Sequence, residues 1–121
     1  MGRIALFVID IQKELAQHPQ TEIPHARRIR DAGNAILTRA RSAIDEERSS
    51  GQRSSLKIVV VQHEESPEDG TLVRGSKEWE LLYAPREGDN AESLVPKTTG
   101  KIRVSTHLPL CVTLPLSDCV I

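Results

Sequence analysis

At 121 residues the chain holds at most one domain, near the lower end of ordinary α/β sizes. A formal net charge of -1 and a pI near 6.4 argue against nucleic acid or an anionic membrane as a partner chosen by bulk charge. Phe7, Trp79 and Tyr83 are the only aromatic residues, so the core must be aliphatic and no platform exists for stacking single-stranded bases.

No apolar run is long enough to span a bilayer. The opening Met1-Gly2-Arg3 passes straight into an apolar stretch interrupted by Asp10, without the cleavage pattern of a signal peptide. Leu6 stands where myristoylation expects Ser or Thr. Cys111 and Cys119 cannot make a disulfide framework of the small secreted kind. A cytoplasmic location is expected from these absences.

The first element is Ile4-Ala5-Leu6-Phe7-Val8-Ile9, a continuous apolar run that reads as a strand buried on both faces. Asp10 follows at its carboxyl end, where open parallel sheets place their ligands. Residues 13–20 form a polar segment broken by Pro19, expected as a loop with a turn of helix. Pro24 marks a first-turn position, and from there to about Glu47 the residues Ala26, Ile29, Ala32, Ile36, Ala40, Ala43 and Ile44 recur at helical spacing. Arg27, Arg28, Arg30, Arg39 and Arg41 are expected on the solvated face. Gly51 is placed to stop this helix.

Ile58-Val59-Val60-Val61 is a second buried strand, so strand, helix and strand make a βαβ unit with parallel strands. His63 then falls near the same sheet edge as Asp10. No second histidine at metal-ligand spacing accompanies it, and no metal or other cofactor is expected. Residues 64–75 read as an acidic loop. Ser76 is expected to cap a short helix over 76–82 that turns Trp79 inward. A short third strand, Ser93-Leu94-Val95-Pro96, delivers Lys97. No glycine-rich phosphate-binding motif follows the first strand.

The opening Ala5-Leu6-Phe7-Val8-Ile9-Asp10-Ile11-Gln12 resembles the first strand of isochorismatase-like cysteine hydrolases. The likeness continues through a His-bearing loop at His63, Gly75-Ser76, the segment 79–82, Glu87-Gly88-Asp89 and Leu94-Val95-Pro96-Lys97-Thr98. It covers roughly residues 4–100. The fold implied is a three-layer α/β/α, Rossmann-like arrangement with a mostly parallel sheet, incomplete at the C-terminus. Residues 1–100 would be a partial hydrolase domain and residues 101–121 an atypical tail.

The resemblance implies hydrolysis of an amide, imide or related C–N bond in a small molecule by a Cys–Asp–Lys triad. Asp10 matches the acid, Lys97 the lysine and Cys119 the nucleophile, with His63 toward the substrate. A free thiol is only slightly ionised at neutral pH. A carboxylate within reach can take its proton, while a nearby ammonium favours the thiolate. Only Val120 and Ile121 follow Cys119, so activity is expected to be impaired in this chain. The alternative is a non-catalytic, truncated remnant or interaction module, pairing through an exposed sheet edge with a partner or a second copy.

Overall fold

The computed structural model describes residues 2–98, so Cys111, Cys119 and the segment 101–121 lie outside the described residues. In chain order the elements are β1 (Ile4–Ile9), α1 (Lys13–Ala16), α2 (Ala26–Ser49), β2 (Leu56–His63) and β3 (Glu92–Lys97). The three strands form one sheet in the order β1-β2-β3. Both pairings are parallel, with Val8 opposite Val60 and Val60 opposite Leu94.

Aligned residues of neighbouring strands point to the same face, and successive residues alternate. The even-numbered Val8, Ile58 and Val60 therefore share a face, and they pack against Leu37, Ala40 and Ile44 of α2. Ile44, Ile58 and Val60 are almost wholly buried. The apolar strands thus have a long helix on one face, as a βαβ unit requires.

The inward stripe of α2 matches the expected one only in part. Ala26, Leu37, Ala40 and Ile44 are buried, whereas Ile36 is 52% exposed and Ala32 and Ala43 also face solvent. The face against the fold instead includes Gly33, where a Cβ would come within 2.9 Å of the Tyr83 ring. It also includes Arg41, which bonds to Glu92. Of the five arginines expected in solvent, Arg30 and Arg41 are half-buried, and Arg30 donates to the Ala16 carbonyl and reaches Glu22.

Helix α2 starts two residues after Pro24. His25 takes a left-handed conformation (φ 64°), and Ala26 N–H donates to Ile23 C=O, so a turn occupies the expected first residues. At the other end Gly51 (φ 71°) donates to Arg48 C=O while Gln52 donates to Glu47 C=O, a Schellman closure.

The amino end of β3 is fastened to α2 by ion pairs. The Glu92 side chain is fully buried and accepts from the guanidinium groups of Arg41 and Arg86. Burial alone would push its carboxyl up; the bonds from Arg41 and Arg86 outweigh that and leave it below the usual carboxylate range. Arg48 holds Asp89, whose pKa falls from 3.8 to about 2 chiefly through that bond.

As pH falls, the unfolded chain takes up the Asp89 proton first, so this stabilisation is complete above about pH 4 and lost toward pH 2. Urea unfolding should show a lower midpoint at pH 3 than at pH 6. In Arg48→Met, where Asp89 loses its partner, that difference should shrink. An unchanged pH dependence in the variant would contradict the assignment.

Candidate active site

All three strands run in one direction, so their carboxyl ends form a single edge that carries Asp10, His63 and Lys97. Asp10 N–H makes the last rung of the β1–β2 ladder, donating to Val61 C=O at 3.0 Å. Strand alternation would then send its side chain after Val8, toward α2. Asp10 instead adopts φ 57°, the left-handed region, and the chain turns. Aspartate is among the few non-glycine residues that tolerate this conformation.

Lys97 lies opposite His63 in the register, on the face away from α2 by strand alternation. Its side chain is 10% exposed, and Nζ lies 2.6 Å from Asp10 Oδ2. Two strand ends separated by β2 are thus joined by one ion pair above the end of β2. The structure brings together Asp10 and Lys97, and it places His63 in the strand between them.

Three buried polar atoms of these segments have no hydrogen-bond partner among the described residues: Asp10 Oδ1, His63 Nδ1 and Trp79 Nε1. His63 Nε2 stands 3.6 Å from Glu65 Oε1. A cavity of about 550 Å³ lies alongside, lined by His63, Glu65, Ser66, Asp69, Arg74 and Thr98 among others. A second cavity of about 380 Å³ is bounded by Lys13, Glu14, His18, Lys77 and Glu78 and has none of the three edge residues in its wall. The first has His63 of the three edge residues in its wall, together with Thr98, the residue after Lys97.

Residues 76–82 do not form the expected helix. Ser76 Oγ does accept from Trp79 N–H at 3.2 Å, but the chain then runs extended against the turn after β1. Leu81 bridges Gln12, Lys13 N–H donates to Glu80 C=O, and Leu82 N–H donates to Ile11 C=O. Those main-chain bonds take the groups that a helix would have used internally.

Two buried amides, Gln12 and Gln62, organise this edge. Both donate to the Trp79 carbonyl, at 2.8 and 2.9 Å. In the sequence Gln12 stood only as part of the family pattern, and Gln62 had no assigned part. A polar amide at the end of an apolar strand was the available signal.

No family model and no curated protein matches the sequence. Solved structures do. One is a protein from Chromobacterium violaceum assigned as a hydrolase of the isochorismatase family, with a TM-score of 0.53 and 18% identity over 80% of this chain and 44% of that one. Another is the pyrazinamidase of Pyrococcus horikoshii in complex with zinc, with a TM-score of 0.55 and 15% identity over 85% of this chain and 56% of that one. The chain shares their α/β fold. It spans about half the length of each.

Zinc belongs to the second of these structures. After β2 the chain reads Gln62-His63-Glu64-Glu65, and no three His, Cys, Asp or Glu side chains gather as ligands among the described residues.

The left-handed turn at Asp10 makes a sharp comparison between two variants that both lack the carboxylate. Asp10→Gly should be more stable than Asp10→Ala by about 1 kcal/mol, because only alanine meets the steric cost of positive φ. Urea unfolding of the pair measures it. At an ordinary strand position the order reverses, and that result would contradict the turn.

Proposed function

We propose that this chain carries the acid and base partners of a cysteine hydrolase acting on a C–N bond of the amide or imide type in a small molecule. The observation that supports the reading is the 2.6 Å contact between Lys97 Nζ and Asp10 Oδ2 at the carboxyl edge of a parallel sheet. The fold shared with an isochorismatase-family hydrolase and a pyrazinamidase supports the reaction class. The three-layer α/β/α arrangement belongs to the same proposal.

In this reading Cys119 is the nucleophile. Asp10 takes the thiol proton, and the Lys97 ammonium holds the thiolate. Sulfur attacks the carbonyl carbon, a C–S bond forms, the C–N bond breaks, and the amine leaves with the proton returned by Asp10. Water then releases the acid from the thioester. Asp10 Oδ1, buried and without a hydrogen-bond partner among the described residues, is the oxygen assigned to accept the proton while Oδ2 is held by Lys97. His63 lines the adjacent cavity and is assigned to the substrate. A primary carboxamide on a heteroaromatic ring, of the pyrazinamide kind, is the first substrate to offer.

Alkylation of Cys119 by iodoacetamide at pH 7, read by mass spectrometry, tests the assignment. Asp10→Asn and Lys97→Ala should each slow it at least about tenfold, because each removes a group that favours the thiolate. Cys111 is the internal control, and its rate should not change. Equal Cys119 rates in all three proteins would overturn the hydrolase reading and leave the non-catalytic one.

A further inference from the structure

The ladder between β1 and β2 ends at Asp10, yet one more β2 residue still turns its main chain toward β1. Val61 C=O accepts from Asp10 N–H, so the odd-numbered residues of β2 face β1, and His63 is next in that row. No main-chain group of β1 reaches it, because the chain has turned at Asp10. The Gln12 side chain fills the place. Its Oε1 accepts from His63 N–H at 3.0 Å, and its Nε2 donates to His63 C=O at 2.8 Å. The same Nε2 donates to Trp79 C=O at 2.8 Å.

Those three partners are one donor and two acceptors, which only one orientation of the amide satisfies. The residue is fully buried, so none of the three bonds can be replaced by bulk water. Gln12 N–H in turn donates to Asp10 C=O at 3.0 Å, tying the clamp to the left-handed turn.

We propose that Gln12 is the positioning residue of this edge. Its amide stands in for the missing residue of β1, fastens His63 and the Trp79 segment together, and thereby holds the Asp10 turn over the end of β2 against Lys97. This role rests on the proposed site, but its test reads side-chain geometry rather than turnover. Loss of the hydrolase reading would leave it standing.

The experiment is competitive amine acylation with acetic anhydride on the folded protein, comparing Lys97 with the exposed Lys77 by mass spectrometry. In wild type Lys97 should be protected through its contact with Asp10. Gln12→Met, which keeps the volume and removes every polar bond, should raise the Lys97 rate relative to Lys77 about tenfold, the factor expected for freeing one buried polar contact. Ile44→Val lowers stability in the core far from this edge and should leave the ratio unchanged. A Gln12→Met protein that is less stable but keeps the wild-type ratio would reduce Gln12 to a structural residue and overturn the proposal. Hydrogen exchange of wild type gives an answer that does not depend on the variant folding. The His63 amide should exchange at least about tenfold more slowly than the exposed Lys77 amide, and equal rates would overturn the clamp.

Discussion

The ion pair between Asp10 and Lys97 sets the requirements that the rest of this chain meets. Its two members come from the outer strands of a three-stranded sheet, and the strand between them contributes neither charge. For the side chains to meet, both strands must run parallel and finish at the same edge, which a βαβ crossover provides. Asp10 must also leave strand geometry, because alternation alone would aim it at α2. The left-handed turn supplies that change, and the buried amide of Gln12 secures the turn to β2.

The two ends of the sheet divide the work between them. At the amino end of β3 the carboxylates of Glu92 and Asp89 are saturated by Arg41, Arg86 and Arg48, joining the 84–92 loop to α2. Glu92 is fully buried, and a buried carboxylate with two guanidinium partners is costly to disturb on either side. At the carboxyl end the pattern is the opposite. Asp10 Oδ1, His63 Nδ1 and Trp79 Nε1 make no hydrogen bond among the described residues, and a cavity opens beside His63 and Thr98. Ion-paired carboxylates thus gather at one end, with Arg86 Nη2 the buried atom there that makes no hydrogen bond among the described residues, and three such atoms gather at the other.

β1 and β2 were legible because each carries a continuous run of apolar residues, and two such runs around a long amphipathic helix admit few arrangements. Asp10 and His63 followed from that topology as residues at strand ends, and Lys97 from the family resemblance. The inner stripe of α2 was misread because its face includes Gly33 and Arg41, chosen for Tyr83 and Glu92, while the more apolar Ile36 lies outside. The segment 76–82 was misread as a helix because its local pattern carries no sign of the main-chain bonds it makes to residues 11–13, nearly seventy positions away in sequence. The clamp by Gln12 was hidden for the same reason: an amide's value depends on which carbonyls surround it, and those come from β2 and from the Trp79 segment.

The central claim is that Asp10 and Lys97 are energetically coupled across β2, and a double-mutant cycle addresses it directly. Urea unfolding free energies of wild type, Asp10→Asn, Lys97→Met and the double variant give the interaction term without reference to any substrate. The Lys97 side chain is largely buried and that of Asp10 partly so, which predicts a coupling of about 1–2 kcal/mol, above the usual range for exposed pairs. A coupling within about 0.3 kcal/mol of zero would mean that the two charges do not hold each other, and the account of this edge would fail.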